Sequence, residues 1–206
     1  MKSRVILAVA AATALFTSLL AQTTAATPAP APAQPAVTTV PPPAAPRARI
    51  SPHETISARI DGNRVTLIYG RPYSKDPKTG AIRTIWGALV PYGKVWRTGS
   101  DEATTLITQQ AIDLGGTTLP AGVYTLFTLP AADGSAKLLV NKQVGQWGVD
   151  PYDEKQEFAR IDLKKDTLAT QVDQFTMALE KNPAGGAVLK MAWENTQFSV
   201  NYTLKK

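Results

Sequence analysis

The sequence predicts an all-β protein, built as a single antiparallel β-sandwich or jelly-roll-like domain. From Glu54 onward, apolar and polar residues alternate with the period of two that is typical of half-buried strands. Turn-forming residues interrupt the alternation at short intervals, and no long segment has the periodicity of an amphipathic helix. About ten short strands joined in this way favour a two-layer β fold.

The predicted strands follow one another along the chain. A hairpin spans residues 56–69, with Asp61 and Gly62 in its turn, because these residue types favour the tight turns that join antiparallel strands. For residues 166–181 a helix is the alternative to a loop and a strand; we favour the strand because Phe175, Met177 and Leu179 recur at every second position. The other strands are expected at 103–108, 111–114, 123–129, 137–141, 158–164, 174–180, 188–194 and 198–204.

Residues 1–26 have the composition of a secretory signal peptide. Lys2 and Arg4 precede an apolar run over residues 5–20, and small residues that suit signal peptidase follow it. The alternative is an uncleaved anchor, since the run approaches the roughly 20 residues that span a bilayer, although hydroxyl side chains dilute it. Gln22 stands where a lipobox would need its acylated cysteine. We expect a bacterial protein that is periplasmic or secreted, with no stable membrane insertion after cleavage.

Residues 27–49 form the second predicted segment, a disordered linker rich in proline and alanine. Eight of the sixteen prolines fall here, and such a segment prefers an extended polyproline II conformation. Residues 50–206 remain for the β-sandwich domain, a length that suits one domain with a single core.

Composition excludes several classes of function. The chain has no cysteine, which excludes thiolate nucleophiles and thiolate metal sites. It has one histidine, His53, so a site with several imidazoles cannot form within one chain. The 22 cationic side chains exceed the 16 acidic ones only mildly, and they form no arginine-rich stripe. We therefore expect no nucleic-acid partner.

Residues 89–104 hold the densest polar and aromatic cluster of the chain. Two aromatic side chains, two cations and two carboxylates stand there among turn-forming residues, which is more than a turn requires. Arg71 and Trp86 precede the cluster and are expected to reach the same surface. The candidate ligand-binding residues are Arg71, Trp86, Tyr92, Trp96, Arg97, Asp101 and Glu102. No catalytic residue, metal ligand or cofactor is assigned.

Three interpretations of this cluster remain open. In the first, Arg97 or Arg71 forms a bidentate ion pair with Glu102 and locks the loop to the sheet. In the second, the aromatic faces stack on a sugar ring while charged groups bind its hydroxyls, although such aromatics also fill sandwich cores. In the third, Glu102 works with a distant acid as a glycosidase pair. The distant acids considered are Glu54, Asp150 and Glu194.

Six ordered motifs lie between residues 51 and 148. They are Ser51-Pro52, Tyr69-Gly-Arg-Pro72, Leu89-Val-Pro-Tyr-Gly-Lys-Val-Trp-Arg-Thr-Gly99, Glu102-Ala-Thr104, Leu119-Pro-Ala-Gly-Val-Tyr-Thr-Leu-Phe-Thr128 and Gln146-Trp-Gly148. On these motifs, and over nearly all of residues 51–204, the chain resembles the bacterial exported proteins grouped as domain of unknown function 2911. The resemblance implies an envelope or secreted protein and brings no reaction or ligand with it. The chain departs from the pattern in the loop 72–86, which is longer than usual, and at Asp101, where asparagine is expected.

The sequence thus favours an exported envelope protein that binds a small ligand or glycan, or serves as a structural module, without catalysis. The alternative is an envelope hydrolase that uses Glu102 with a second carboxylate. An enzyme is expected to leave Glu102 or a neighbouring carboxylate unpaired in a cleft, whereas a binding or structural protein is expected to pair it with arginine. A purely structural module is expected to lack a concave pocket near Trp86, Tyr92 or Trp96.

Overall fold

Nine strands, each antiparallel to its neighbours, form one sheet in a computed structural model that describes residues 48–205. The predicted signal peptide and nearly all of the predicted linker lie outside the described residues. The strands are β1 His53–Ile60, β2 Asn63–Gly70, β3 Thr104–Thr108, β4 Ile112–Leu114, β5 Thr117–Leu119, β6 Gly122–Pro130, β7 Ala136–Asn141, β8 Glu157–Lys181 and β9 Ala187–Leu204. A short 3₁₀ helix, Glu154–Gln156, precedes β8. The all-β prediction is confirmed, and the strand order is β1-β2-β3-β6-β7-β8-β9-β4-β5.

The first hairpin forms where the sequence predicts it. Ile60 pairs with Asn63, so Asp61 and Gly62 make a two-residue turn, and both have positive φ (48° and 87°) as a type I′ turn requires. The period-two pattern survives in three dimensions, because alternate side chains of β2 face the core.

Strands β8 and β9 are longer than predicted. Each joins two segments that the sequence separates, and the loop and the alternative helix considered for residues 166–181 are both wrong. Register shifts lie between Thr167 and Val172 and between Val172 and Thr176. Such bulges bend a strand while pairing continues on both sides. The first part of β8 pairs with β7 and the second part pairs with β9, so β8 joins these two strands in the sheet.

Distant parts of the sheet meet over a shared core. The Tyr69 hydroxyl on β2 accepts a hydrogen bond from the Met177 backbone N–H on β8 at 3.0 Å. The Asn63 side chain donates to the Tyr202 hydroxyl on β9 at 2.9 Å. One apolar cluster contains residues of both regions, an arrangement compatible with the predicted sandwich.

Residues 71–103 connect β2 to β3 and carry most of the candidate site residues. Isolated bridges hold this connection to the sheet, including Trp96 to Thr128 on β6 and Tyr73 to Gln174 on β8. Ile85 and Val90 bury their side chains in the core. The connection is therefore packed against the sheet along much of its length. Within the described part of the chain, no helix is long and apolar enough to cross a membrane.

Candidate functional site

A cavity of about 260 Å³ lies between the β2–β3 connection and the sheet, and we call it the Trp96 cavity. Trp96 and Trp193 form its aromatic wall, Arg83 and Arg97 bring positive charge, and Asp101 brings a carboxylate. Side chains from the loop, from β9 and from the segment before β1 thus meet at one concave surface.

The aromatic wall belongs to a larger cluster of rings. Trp96 and Trp193 stack with centroids 5.8 Å apart and an interplanar angle of 20°. Phe175 and Trp86 contact Trp96 edge-on at 5.1 and 5.9 Å. Stacked and edge-on contacts of this kind stabilise the orientation of each ring. The cavity therefore has a rigid wall.

Trp193 brings an unusual polar group to this wall. The side chain is 1% exposed, and its indole N–H has no hydrogen-bond partner among the described residues. The indole N–H of Trp96, in contrast, donates to the Gly99 carbonyl at 3.1 Å. Burying a donor without a partner costs about 1–3 kcal/mol, so each such group calls for an explanation.

The turn over residues 97–101 shapes the mouth of the cavity. Thr98 and Asp101 have φ values of 56° and 61°, in the left-handed region that non-glycine residues rarely adopt. The turn also packs closely on the end of β2, because a Cβ on Gly70 would lie 2.2 Å from the Ser100 carbonyl oxygen. A side chain at Gly70 is therefore incompatible with this approach.

Asp101 fastens the segment that leads into β1. Its side chain, 7% exposed, accepts hydrogen bonds from the backbone N–H groups of Ile50 and Ser51 at 3.4 and 3.3 Å. His53 Nε2 lies 3.2 Å from Asp101 Oδ2. Ile50 and Ser51 line the Trp96 cavity, so this clasp, Asp101 with residues 50–53, holds one side of the cavity in place.

Glu102 lies on the other side of the clasp and is paired. Arg49 binds it in a bidentate manner, with Nε 2.9 Å and Nη2 2.6 Å from Oε1, and Nε 3.1 Å from Oε2. His53 Nε2 is 3.4 Å from Glu102 Oε2. Burial alone would raise the pKa of Glu102, but the hydrogen bonds and positive charge of Arg49 outweigh burial and lower the pKa below its ordinary value. Glu102 is therefore a carboxylate at neutral pH.

The predicted pairing of Glu102 with Arg97 or Arg71 is wrong. The β1–β2 register sets Glu54 opposite Tyr69, beside Arg71, and the Arg71 guanidinium lies 3.0 Å from Glu54. Arg97 donates to the Asp101 backbone carbonyl at 3.1 Å instead. The partner of Glu102 comes from Arg49, in the segment that the sequence assigns to the linker.

The seven candidate residues are divided among different surfaces. Trp96, Arg97 and Asp101 line the Trp96 cavity. Trp86 and Tyr92 line a separate cavity of about 90 Å³, and Glu102 lines a third of about 160 Å³ together with Arg49 and His53. Arg71 lies between Glu54 and β8, where it also donates to the Phe175 carbonyl.

Sequence reasoning missed several residues that shape these surfaces. Trp193 is buried in the core, and the same residue also lines the Trp96 cavity. Arg83 lies in the long loop 72–86, and Arg49 and His53 lie at the edge of the predicted linker, so none of the three was assigned to the site. Within residues 48–205, no three or more side chains of the types that bind metals are placed to hold a metal ion, and this includes His53 with its acidic neighbours.

Comparison with known proteins gives a family and no function. A family model described as Protein of unknown function (DUF2911) matches residues 51–202, which is most of the chain. No curated protein and no solved structure matches the chain. The matched range contains all six sequence motifs, so the resemblance found in the sequence is confirmed.

Proposed function

We propose that this chain, which belongs to the DUF2911 family of proteins of unknown function, binds a small ligand with a single ring, such as a sugar, in the Trp96 cavity. The observation that carries the proposal is the lining of the cavity, where the stacked Trp96 and Trp193 rings meet the polar side chains of Arg97 and Asp101.

The size and wall of the cavity support a compact, flat ligand. Its volume of about 260 Å³ falls just below the roughly 300–1,000 Å³ of sites for drug-sized ligands, so one ring with short substituents fits. The stacked Trp96 and Trp193 rings offer apolar surface, and Arg97 and Ser100 add polar groups at the rim. Such a combination of a flat apolar surface with a few polar groups is typical of small-molecule sites.

The hydrolase alternative has less support. A glycosidase places two carboxyl groups about 5–9.5 Å apart on either side of one bond. Within the described residues, Asp101 is the sole acid that lines the Trp96 cavity, and its side chain already accepts from the clasp. Glu102 and Glu54 are each bound by an arginine. The paired state of Glu102 is the state expected of a binding protein.

The proposed site of action is outside the cytoplasm, in the periplasm or the medium. Support for this part comes from the sequence of residues 1–26, with its short basic start and long apolar run. Intact-mass analysis of the natural product tests it: a chain that starts near Thr27 agrees with export, and a chain that retains residues 1–20 does not.

Binding can be tested with the indole N–H signals of the four tryptophans in a ¹⁵N-labelled sample. Titration with monosaccharides and small cyclic compounds should shift the signals of Trp96 and Trp193. Leu89 lines the cavity and is 44% exposed, so Leu89→Trp should block the cavity without disturbing the core. Ile82→Trp, at a residue 77% exposed elsewhere on the loop, is the matched control and should leave binding unchanged.

Two results would contradict the proposal. One is a panel in which no compound shifts the Trp96 and Trp193 signals. The other is a ligand whose affinity is the same in the Leu89→Trp variant as in the original protein, because such a ligand must bind elsewhere.

A further inference from the structure

Two arginines, Arg83 and Arg97, line the Trp96 cavity without forming an ion pair in residues 48–205, although Asp76 lies within reach of the Arg83 charge. Arg83 donates to the backbone carbonyls of Tyr73 and Ser74, and Arg97 donates to the backbone carbonyl of Asp101. Neither guanidinium lies within ion-pair distance of a carboxylate in residues 48–205. Other arginines of the same domain do have such partners: Arg49 pairs with Glu102, Arg71 with Glu54, and Arg160 with Glu157.

The acid in the cavity offsets one of the two charges and forms an ion pair with neither arginine. The Asp101 carboxylate accepts from two backbone N–H groups and faces His53, and it meets Arg97 only through its main-chain carbonyl. The lining therefore carries two positive groups and one negative group. A half-buried cation without a counter-ion is unfavourable, so this lining favours a bound anion.

Arg97 is held in a position that suits anion recognition. Its guanidinium packs over the backbone of Gly148, where an added Cβ would lie 3.4 Å from the central guanidinium carbon. One of its five N–H groups is used by the Asp101 carbonyl, which leaves an edge free for a ligand. A guanidinium fixed in this way matches the two oxygens of a carboxylate, and the resulting hydrogen bonds are charge-assisted.

From these charges we infer that the ligand of the Trp96 cavity is a cyclic carboxylic acid. The carboxylate binds Arg97 and Arg83, while the ring packs between the Trp96 and Trp193 wall and Leu89. A single negative charge balances the excess of one positive group in the lining. This inference rests on the proposed function, because it assigns a chemical class to the ligand of the same cavity.

The test compares acids with neutral molecules of the same shape. Benzoate and benzamide form one pair, and glucuronate and glucose form the other; each compound is titrated into the purified protein while the Trp96 and Trp193 indole signals are recorded. In at least one pair the acid should bind at least about tenfold more tightly than the neutral partner, as expected for a charged hydrogen bond. The preference should decrease as salt is raised from low to physiological concentration.

Variants locate the preference at the arginine. Arg97→Gln should weaken binding of the acid about tenfold and leave the neutral partner unchanged, because only the charged interaction is lost. Arg64→Gln, at an exposed position on β2, removes the same charge away from the cavity and should change neither. If Arg97→Gln fails to fold, the acid and neutral comparison on the original protein, with its salt dependence, still decides.

The failures of the two proposals look different. Equal affinity for the acid and neutral members of both pairs overturns the carboxylate inference and leaves binding in the cavity intact. If none of the four compounds shifts the Trp96 and Trp193 signals, the carboxylate inference is overturned. If no compound of the wider panel of monosaccharides and small cyclic compounds shifts them either, the proposed function is overturned as well. The two sources of carboxylate are told apart by which pair shows the preference.

Discussion

Replacement of Asp101 by alanine removes the clasp at a backbone position that alanine tolerates poorly. The φ of 61° is more accessible to aspartate and asparagine than to alanine, which adds about 1 kcal/mol to the cost of folding. The Ser51 N–H and His53 lose their acceptor, and for such half-buried donors the loss is about 1–2 kcal/mol in total. Ile50 is exposed, so water can replace its hydrogen bond. We expect Asp101→Ala to lower the free energy of unfolding by about 2–3 kcal/mol.

Denaturant unfolding of two variants separates geometry from charge. Asp101→Asn keeps a side-chain oxygen and the tolerance for positive φ, so it should lie within about 1 kcal/mol of the original protein. Hydrogen exchange gives the local readout, because the amides of residues 50 and 51 should exchange faster in Asp101→Ala and stay protected in Asp101→Asn.

Two outcomes would contradict this role of Asp101: a cost of less than about 1 kcal/mol for Asp101→Ala, or an Asp101→Asn variant that is as unstable as Asp101→Ala. The first result would mean that the clasp does not hold the leading segment. The second would mean that the charge, and not the hydrogen bonds and backbone geometry, is what the fold requires.

Three further predictions follow from the hydrogen-bond pattern. The pKa of Glu102 is lowered in its pair with Arg49, so the stabilisation from this pair is present at neutral pH and is lost as the pH falls below about 4. The Arg49→Gln variant should lack this acid-dependent part of its stability. Acid unfolding curves that are identical for the variant and the original protein would contradict the prediction. Burial raises the pKa of Tyr69 to about 12, so the free energy of unfolding should fall as the pH rises above about 10. In Tyr69→Phe this fall at alkaline pH should be smaller. The same variant should cost about 1–3 kcal/mol at neutral pH, because the hydrogen bonds of the hydroxyl to β8 are lost. Glu157→Gln should lower the free energy of unfolding by about 0.5–1 kcal/mol, measured by urea unfolding, since Arg160 binds the Glu157 carboxylate in a bidentate but partly exposed pair. No measurable loss would show that solvent screens the pair fully.

The sequence predicts those parts of the fold that local chemistry determines. The hairpin at Asp61 and Gly62 follows from two residues that favour positive φ, and the alternation of β2 follows from burial of one face. Strands β8 and β9 are predicted in pieces, because the alternation fails at the bulges near Val172 and Glu194. Continuity across a bulge depends on the partner strand, which is not visible in the local sequence.

The site is predicted only in part, for a related reason. The density of polar and aromatic residues identifies the turn that bears Trp96, Arg97 and Asp101, and these three side chains do line one cavity. The partner of Glu102 is not predicted, because several arginines compete for it and the sequence does not rank them. Arg49, which lies 53 residues away along the chain, reaches Glu102 only when the leading segment folds back beside it.

The backbone conformation near this cavity bears on the proposed binding site. Among the described residues, four that are not glycine have positive φ: Asp61, Thr98, Asp101 and Glu194. Asp61 is explained by its hairpin turn and Glu194 by the register shifts opposite Val172, whereas Thr98 and Asp101 lie in the turn at the mouth of the Trp96 cavity. Such conformations cost on the order of 1–3 kcal/mol each and persist where surrounding contacts determine them. Thr98 is fully buried, and its carbonyl accepts a hydrogen bond from the Thr104 hydroxyl at 2.6 Å. At Thr98, which stands between two residues that line the cavity, this conformation supports the proposal that the cavity is a binding site.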